Sequence, residues 1–469
     1  MFQQGLLKYG VNKQEHGSGV SFVFVVFVYS KESFVFRNFL RRSYWALPIK
    51  SKTKRWFLDS IRSRGIFYTL MPFSNNISKN KSDIYMFYTE QVLASARIQS
   101  FSYEKDFLDL QPIDSNCLKP IAYYLTQFHP NEKNDEWWGK GVTEWNNVFR
   151  GVPQYIGHYQ PTLPGELGAY DLRLKLNMVR QIELASKSGI EGFAFYFYWF
   201  KGERLLEKPF NLFLENIDLD FKFMICWANE SWTRRFDGAS SEVLMGFESD
   251  FDSNKNFIDD NASIFTDRRY IKSDGKYVIQ IYRPSNFDNV KELITYWRIR
   301  AKELFGEIHF MAISFGSDYK EDWISHGFDS ISDFQPGSMM SYRDYKKINK
   351  QLDIVNKDFV GTIYDYADIA ADAPFRKGVY PAVMPSWDNS ARRVDSGLIF
   401  HNSSPDLYGS WLDSACRNVL TDDVLNENFV FLNAWNEWGE GAYLEPDKKF
   451  GYAYLNTTRR VVERFNKNL

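Results

Sequence analysis

The sequence predicts an α/β fold, namely a (β/α)8 TIM barrel with enlarged loops after its strands and a basic N-terminal extension before it. Short apolar runs alternate with helical or loop segments from Lys119 onward, which is the pattern that builds parallel sheets. Before that point, residues 1–65 contain twelve Lys or Arg and three Asp or Glu, although the whole chain has a net charge of -2. These differences divide the chain into an extension, 1–117, and a barrel, 118–469.

Eight apolar runs supply the predicted strands, and five helical segments lie between or after them. The runs are 121–128, 192–198, 221–227, 277–282, 308–314, 328–334, 382–387 and 429–435. The helical segments are 171–188, 205–216, 289–304, 407–419 and 455–466. Eight strand-helix units within about 350 residues suit the size of a barrel with enlarged loops.

Composition narrows the class of protein. An apolar content of 44% in 469 residues supports a packed core, and the near-neutral charge argues against a nucleic-acid binder. Cys117, Cys226 and Cys416 are too scattered for a disulfide framework or a zinc cluster, which predicts a reducing compartment. The apolar run 22–29 is too short to span a membrane and lacks a signal-peptide cleavage site, so we predict a cytoplasmic protein.

The basic stretch 37–64 interleaves Lys and Arg with aromatic and aliphatic side chains. Such a segment can lie on an anionic membrane surface, which predicts peripheral membrane contact. A solvated helical linker between modules explains the same composition equally well, so both interpretations stay open.

Unusual side chains gather after the predicted strands, where a barrel of this kind places its active site. Aromatic faces stack on sugar rings, and Asn, Asp, Glu and Arg hydrogen-bond to hydroxyls, so this mixture favours a glycan cleft over an apolar pocket. The candidate binding residues are Gln127, His129, Trp138, Glu144, Trp145, Tyr198, Trp199, Trp227, Asn229, Glu230, Trp232, Arg234, Trp387, Asp388, Trp435, Asn436 and Glu445.

Glu437 and Glu440 are the candidate catalytic pair. They lie between tryptophans and glycines, directly after the apolar run 429–432. Neighbouring carboxyls do not ionise together easily, so one tends to hold a proton beside a charged partner. At this spacing on a helical turn the Cβ atoms lie about 5–6 Å apart, compatible with the roughly 5–5.5 Å between the carboxyls of retaining glycosidases. Alternatively, the pair is a solvated face or binds a nearby arginine.

Three of the candidates have a second interpretation. Glu230 is the best alternative acid, but it can equally pair with Arg234 or Arg235. Asp388 either binds sugar hydroxyls or caps a helix. His129 either contacts a ligand or has a hydrogen-bonded structural role.

The second run poses a question of side-chain direction. Among the aromatic residues at the end of this run, Trp199 is the one that we expect to reach the cleft. Tyr196 and Tyr198 can be mostly core, with alternate side chains of the strand facing the barrel interior. Asp218 and Asp220 form an Asp-x-Asp pattern of the kind that holds a metal-bound nucleotide sugar. Because they precede a strand, we expect them at the end of the barrel opposite the active site.

Five segments together resemble the WbsX family, whose members are barrel proteins related to glycoside hydrolase family 99, which includes endo-acting mannosidases. The segments are 123–130, 134–145, 192–206, 227–238 and 433–447. The resemblance extends over residues 119–469. It implies a role in cell-surface polysaccharide metabolism, such as O-antigen, lipopolysaccharide or capsule synthesis, more firmly than it implies hydrolysis or synthesis.

The resemblance also assigns roles to the pair. In the hydrolase relatives, the acidic residues of a Glu-x-x-Glu motif after the last strand are catalytic, and they match Glu437 and Glu440. By that likeness, Glu440 protonates the departing oxygen and later activates water. Glu437 assists the sugar's 2-hydroxyl in forming a 1,2-anhydro intermediate, with net retention. This sequence departs from the hydrolase pattern at Gly439, where the relatives usually carry a bulkier residue, and in the loop 442–444.

The sequence supports three functional hypotheses. The first is a glycosidase or transglycosidase, with no metal and no cofactor, that acts on an oligo- or polysaccharide through Glu437 and Glu440. The second is a glycosyltransferase of surface polysaccharide assembly, for which the sequence offers no Gly-rich phosphate loop, an argument against a nucleotide donor but not against a lipid-linked one. The third is a non-catalytic glycan-binding barrel, which the abundant aromatic residues and Gly439 suit. None of the three involves nucleic acid.

Overall fold

The computed structural model describes part of the chain, and its gaps affect two predictions. The described residues are 99–466 except 109–110, 114–116 and 234–242, together with Thr89 and Val92. The basic stretch 37–64 therefore lies outside the described residues, and so do Arg234 and Arg235. The membrane contact of that stretch and the role of Arg234 stay predictions.

Eight parallel strands form a barrel, as the apolar runs predicted. The strands are β1 (Lys119–Tyr124), β2 (Gly192–Phe200), β3 (Lys222–Trp227), β4 (Lys276–Ile281), β5 (Ile308–Ile313), β6 (Ser330–Ser332), β7 (Val379–Tyr380 and Ala382–Val383) and β8 (Phe429–Leu432). Each strand overlaps one predicted run. Their hydrogen-bonded order follows the chain from β1 to β7, with β8 between β1 and β7. This is the order of a closed (β/α)8 barrel.

Strand β7 closes the ring in two short pieces on either side of Pro381. The first piece pairs with β6, and the second pairs with β8. Proline has no N–H to donate, but the Pro381 carbonyl oxygen accepts the N–H of Phe431 at 2.9 Å. The predicted run 382–387 lies too late in the chain, because the apolar signal continues beyond the residues that pair.

Helices follow most strands, and the five predicted helical segments are all helical. The helices of the described residues are α1 (Glu132–Trp138), α2 (Glu144–Phe149), α3 (Lys175–Lys187), α4 (Glu207–Glu215), α5 (Phe251–Asn254), α6 (Phe257–Asp260), α7 (Ala262–Phe265), α8 (Val290–Leu304), α9 (Gly337–Tyr342), α10 (Tyr366–Ala371), α11 (Ser390–Arg393), α12 (Pro405–Thr421) and α13 (Ala453–Asn466). Polar side chains cap the first turn of several helices. The side chain of Asn289 accepts an N–H at the start of α8, and Ser404 does so for α12. Among the described helices, none has the length and apolar character needed to cross a membrane.

The enlarged loops carry strands of their own. Additional short strands pair as follows: Glu203–Leu205 with β2, Lys272–Ser273 with β4, Trp232–Thr233 with Val243–Met245, Asn436–Glu437 with Ala442–Tyr443, and Thr362–Asp365 with Leu398–His401. The last pair is parallel, and it contributes Ile363 and Ile399 to a small separate core with Tyr155 and Ile348. The loops before and after β7 are therefore structured elements.

An aromatic layer packs on the outer face of the barrel. Trp227 of β3 stacks on Phe257 of α6, with ring centroids 3.8 Å apart and planes at 6°. Trp297 of α8 is fully buried beside both rings. Burying a large apolar side chain contributes roughly 1.5–3 kcal/mol, so this layer is a main source of the attachment of α6 and α8 to the strands.

Part of the predicted extension contacts the end of the chain. The Glu104 backbone forms a bridge with Gly451, and its carboxylate accepts hydrogen bonds from Asn456 at 2.6 Å and from Arg460 at 2.8 Å. The N–H of Leu108 donates to Asn456 Oδ1 at 3.0 Å. These residues pack against α13, while the boundary at 117 stays a prediction.

Gly192 provides a test of strand packing. An added Cβ would lie 2.6 Å from the carbonyl oxygen of Lys222 in the neighbouring strand. We therefore expect Gly192→Ala to destabilise the fold by about 1–3 kcal/mol, measured by urea unfolding with tryptophan fluorescence. The matched control is Gly246→Ala, whose Cβ would come no closer than 4.0 Å to Val243 Cγ1. Equal losses in the two variants would contradict this account.

Candidate functional site

Three glutamates converge on one arginine beyond the C-terminal ends of the strands. Glu437 and Glu440 follow β8, Glu144 begins α2 after β1, and Arg392 lies in α11 after β7. Arg392 contacts Glu437 Oε1 from Nη2 at 2.6 Å, Glu440 Oε1 from Nη1 at 2.8 Å and Glu144 Oε1 from Nε at 2.8 Å. The structure thus brings the predicted pair together, and it also shows the arginine partner of the alternative interpretation.

A short hairpin after β8 carries the pair. Asn436–Glu437 pairs antiparallel with Ala442–Tyr443, and Trp438–Glu440 forms a single 3-10 turn between them. The Trp438 ring stacks on that of Tyr443, with centroids 3.7 Å apart and planes at 12°. Hydrogen bonds and stacking therefore hold both glutamates on one compact turn.

Gly439 leaves room for the arginine. An added Cβ would lie 1.7 Å from Glu144 Oε1 and 2.8 Å from Arg392 Nε. A bulkier residue at this position is therefore incompatible with the observed contact between Glu144 and Arg392. The glycine at position 439, where the hydrolase relatives usually carry a bulkier residue, therefore makes room for the ion pair between Glu144 and Arg392.

Burial makes the two members of the pair unequal. The Glu437 side chain is 5% exposed and that of Glu440 is 25% exposed. Burial raises the pKa of Glu437 to about 8, with Arg392 opposing the rise and the charges of Glu440 and Glu144 adding to it. Burial also raises the pKa of Glu144, again against the effect of Arg392. Burial therefore favours the protonated form of Glu437 in the ligand-free protein.

Aromatic side chains line the barrel mouth beside the pair. Tyr196 and Tyr198 alternate with buried residues along β2 and are half-buried themselves. Burial and then the charge of Glu437 raise the pKa of both phenols, which places them near that carboxyl. Trp232 lies edge-on to Tyr198, with centroids 5.3 Å apart and planes at 89°. Tyr198 and Trp232, both predicted to bind sugar, thus lie together at the mouth.

The structure does not bring Trp199 to the cleft. Its ring is buried against Trp227 and Phe257 on the outer face of the barrel. Successive side chains of a strand point to opposite faces, and Tyr196 and Tyr198 occupy the inner one. The expectation that Trp199 would be the aromatic residue of β2 in the cleft is wrong. Trp227, also a binding candidate, is buried in the same outer layer.

Two candidate asparagines tie loop backbones together. The amide of Asn436 accepts the N–H of Leu125 at 2.8 Å and donates to its carbonyl oxygen at 3.0 Å. The amide of Asn229 makes the same pair of bonds with the backbone of Arg283, both at 2.8 Å. Both side chains are buried and joined to backbone, so they position loops at the mouth.

Glu445 lies in a buried network beneath the hairpin. Its carboxylate accepts hydrogen bonds from Trp438 Nε1 at 2.6 Å, Gln181 Nε2 at 2.7 Å and the Tyr170 hydroxyl at 2.9 Å. Burial raises its pKa to about 7, against the effect of these donors. Trp145 donates from its indole to the Tyr170 carbonyl oxygen at 2.8 Å. The binding candidates Glu445 and Trp145 therefore support the site from below.

His129, Trp387 and Trp435 are also buried. Nδ1 of His129 lies 2.9 Å from the carbonyl oxygen of Thr126, and burial lowers the pKa of the imidazole. The bond of Nδ1 fits the hydrogen-bonded structural interpretation of His129, and its contact with a ligand stays a prediction.

Asp388 has protein partners for its carboxylate. Oδ1 accepts the N–H of Ser390, the first residue of α11, at 3.0 Å. Oδ2 lies 2.6 Å from His158 Nε2 and accepts from Gln160 Nε2 at 2.6 Å. Burial alone would raise its pKa, but His158 and the bonds from Ser390 and Gln160 outweigh burial and lower it. Asp388 thus bonds to the start of α11, in keeping with the helix alternative, and its contact with sugar stays a prediction.

Three other candidates differ in exposure. The Glu230 side chain is 52% exposed, with Oε1 3.8 Å from Arg283 Nε. Gln127 is buried, and its carbonyl oxygen accepts the N–H of Glu144 at 3.4 Å. Trp138 is half-buried at the end of α1. Their contacts with sugar stay predictions.

The Asp-x-Asp pattern lies where the sequence places it. Asp218 and Asp220 precede β3 and form ion pairs with Lys175 at 2.6 Å and with Arg268 at 3.1 Å. They are at the end of the strand remote from the glutamates.

Sequence reasoning missed Arg392, His158 and Gln160. The position of Arg392 in the loop after the seventh strand was the one available signal, since active-site residues gather in such loops. His158 and Gln160 lie in the long connection between α2 and α3, where no local pattern marks them.

A stability measurement tests the buried proton of Glu437. A carboxyl whose pKa is raised on folding, here from 4.5 to about 8, adds stability below pH 4.5 that is lost as the pH rises to about 8. Glutamine cannot ionise, so we expect the free energy of unfolding of Glu437→Gln to improve relative to wild type across this range. Chemical denaturation at a series of pH values measures the difference.

The comparison variant is Glu445→Gln. Because the pKa of Glu445 is raised only to about 7, its relative gain should end at a lower pH. Parallel stability curves for wild type and Glu437→Gln would refute a raised pKa at Glu437.

Sequence comparisons identify relatives of this chain. The family model described as Glycosyltransferase WbsX matches residues 120–458. Two proteins, each described as uncharacterized protein WxcX and from two strains of Xanthomonas campestris pv. campestris, are 38% identical over 349 residues. The match includes 73% of this chain and 49% of each relative. The chain thus spans about half the length of these curated relatives.

Similar solved structures include a glycoside hydrolase-like protein and an endo-alpha-mannosidase. The first is 15% identical with a TM-score of 0.46, over 75% of this chain and 96% of that protein. The second, the GH99 endo-alpha-mannosidase from Bacteroides thetaiotaomicron in complex with BIS-TRIS-Propane, is 14% identical with a TM-score of 0.45, over 74% and 97%. Similarity at this level says nothing about the reaction. Because the family model matches the chain from β1 into α13, the chain belongs to the family described as Glycosyltransferase WbsX.

Proposed function

We propose that this protein is a carbohydrate-active enzyme of cell-surface polysaccharide metabolism that cleaves or transfers glycosyl units through Glu437 and Glu440. The observation that carries the proposal is the convergence of both carboxylates on one guanidinium, at 2.6 and 2.8 Å. Acceptors on neighbouring nitrogens of one planar group lie close together. This supports the short carboxyl spacing of retaining glycosidases, about 5–5.5 Å. Family membership supports a glycan as the substrate.

The greater exposure of Glu440 and the burial of Glu437 suggest which catalytic role each residue has. Glu440 is the more exposed, so it can reach a departing sugar oxygen and is the proposed acid. Glu437 is the proposed partner of the 2-hydroxyl, and it holds the proton in the ligand-free protein. The cycle then requires that proton to reach Glu440 when the sugar binds, after which Glu437 can accept the proton of the 2-hydroxyl.

For this cycle to proceed, Arg392 has to lose one of its ion pairs with the two glutamates. Its planar cation bridges the two carboxylates, where an oxocarbenium-like sugar would lie during reaction. Sugar binding would break the contact with Glu440, the more exposed partner. The contact with fully buried Glu144 would keep the arginine side chain nearby.

Tyrosine hydroxyls at the mouth support a saccharide as ligand. In the part of the chain that the structure describes, the hydroxyls of Tyr196, Tyr198 and Tyr282 form no hydrogen bond to a protein partner. Hydroxyls that face a polar cleft can donate to and accept from sugar hydroxyls, while the rings beside them offer stacking surfaces.

Two other functions each have an observation in their favour. The family description names a glycosyltransferase, and the same pair could transfer a glycosyl unit to a sugar instead of water. A non-catalytic glycan-binding barrel is favoured by Arg392, because one guanidinium partly neutralises both carboxylates. Incubation with a panel of bacterial surface polysaccharides, with and without sugar acceptors, distinguishes cleavage, transfer and an unchanged glycan. Calorimetric binding of a nucleotide sugar would favour the transferase.

Replacing either glutamate tests the catalytic pair. We expect Glu437→Gln and Glu440→Gln each to lower kcat/KM on the cleaved polysaccharide by about 10²-fold or more, because acid-base groups contribute roughly 10²–10⁴-fold. Reducing-end analysis measures the activity, and circular dichroism should show an unchanged fold. The control is Glu230→Gln, since Glu230 is the exposed alternative acid. Loss of activity in this control, with Glu440→Gln active, would transfer the acid's role to Glu230.

An aryl glycoside of the released sugar separates the two roles. An acidic phenol departs without protonation, so Glu440→Gln should keep most of its kcat/KM, which reports phenol release, on such a substrate, whereas Glu437→Gln should lose it. The kcat of Glu440→Gln should still fall, because Glu440 is also the proposed base of the second step. Absorbance of the released phenol measures the rate. The reverse pattern would make Glu437 the acid, in keeping with its buried proton.

A further inference from the structure

Asp388 joins the two loops that carry Arg392 and Glu440. Its backbone N–H donates to the carbonyl oxygen of Glu440 at 2.6 Å, and its Oδ1 accepts the N–H of Ser390 at 3.0 Å. Ser390 begins α11, the helix of Arg392. Asp388 therefore connects the turn that carries Glu440 to the helix that carries Arg392, its ion-pair partner.

His158 fixes the direction of the Asp388 carboxylate. Nδ1 of His158 accepts the N–H of Gln154 at 3.0 Å, so the ring proton is on Nε2, which donates to Asp388 Oδ2 at 2.6 Å. Both ring nitrogens are thereby bonded to protein. Gln160 donates to the same oxygen at 2.6 Å, and the imidazole stacks on Tyr155 with centroids 4.5 Å apart. The carboxylate is thus held on two sides.

The contact between Asp388 and the turn is tight. Gly441 has φ +64°, and an added Cβ would lie 2.9 Å from the Asp388 nitrogen and 3.0 Å from its carbonyl oxygen. The Ser386 hydroxyl donates to the Gly441 carbonyl oxygen beside this contact. Because backbone atoms meet here, a displacement of Asp388 has to move the turn that carries Glu440.

We propose that Asp388, held by His158 and Gln160, is a positioning residue that sets the placement of Glu440 relative to Arg392. The inference rests on the proposed function of the glutamate pair, and it replaces the expectation that Asp388 binds sugar. The carboxylate has three hydrogen-bond partners within the protein, and its backbone reaches the turn directly. An amide at this position keeps the backbone bond to Glu440 but presents an NH2 group to donors, so it cannot keep all the bonds to Ser390, His158 and Gln160.

The first test needs no substrate. In full-length protein labelled with ¹⁵N-arginine, the Arg392 Nε–H is identified as the signal that Arg392→Lys removes. We expect Asp388→Asn to speed exchange of this buried proton with solvent by about tenfold or more. Asp447→Asn is the matched control, because Asp447 is another buried carboxylate but bonds within the segment 443–450. Unchanged exchange in Asp388→Asn, or equal acceleration in the control, would overturn the inference.

Variants of His158 test the same link if Asp388→Asn does not fold. His158→Gln keeps a donor for the carboxylate, whereas His158→Leu removes it. We expect exchange at Arg392 to accelerate in the leucine variant and to stay near wild type in the glutamine variant. The same exchange rate in both variants would show that the hydrogen bond to Asp388 does not position the site.

Kinetics on the polysaccharide that wild type cleaves provide the second test. A misplaced acid slows the chemical step, so Asp388→Asn should lower kcat about tenfold or more and leave KM unchanged. A raised KM with unchanged kcat would identify Asp388 as a sugar ligand and overturn the inference. If wild type neither cleaves a polysaccharide nor transfers a glycosyl unit to a sugar acceptor, the proposed function fails, while the exchange measurement still decides the role of Asp388.

Discussion

The ion cluster around Arg392 imposes the strongest constraint on the barrel mouth. Buried charges are tolerated when they are paired and hydrogen-bonded, and here three carboxylates share one guanidinium. One arginine cannot balance three negative charges, so burial favours the neutral form of Glu437. The pairing of Glu144 with Arg392 also requires glycine at position 439, since a Cβ there would overlap Glu144. The charge state and the shape of the site therefore have a common cause.

The order of strands explains how distant segments form this cluster. Glu144 follows β1, Arg392 follows β7 and Glu437 follows β8, and these three strands are neighbours in the ring. The split strand β7 contributes directly, because its second piece pairs with β8 and places α11 beside the hairpin. Tyr196 and Tyr198 come from β2, the next strand along. The site thus occupies one side of the mouth, built on four adjacent strands.

Sequence patterns predicted the strands better than the directions of their side chains. Strand β5 is buried at all six positions, and such continuous apolar runs are read without knowing the rest of the fold. In β2 every residue from Phe195 to Phe200 is aromatic, so both faces carry aromatic rings and composition does not tell which face is inside. The error at Trp199 follows from this ambiguity, and whether Tyr198 binds sugar stays a prediction. Asn436 and Glu445 were expected to bind sugar because the local sequence does not distinguish a side chain that holds a loop, or a buried carboxylate, from one that contacts sugar.

By itself, the sequence determined the barrel, its eight strands and the neighbouring glutamates, because apolar runs and a motif of two acids are local properties. Only the tertiary structure decided which residues surround those glutamates. Arg392 meets Glu144 across 248 positions of chain, and His158 meets Asp388 across 230. Contacts over such separations arise when the ring closes and brings loops of adjacent strands together. No local pattern encodes them, and they surround Glu437 and Glu440 with their charged and hydrogen-bonded neighbours.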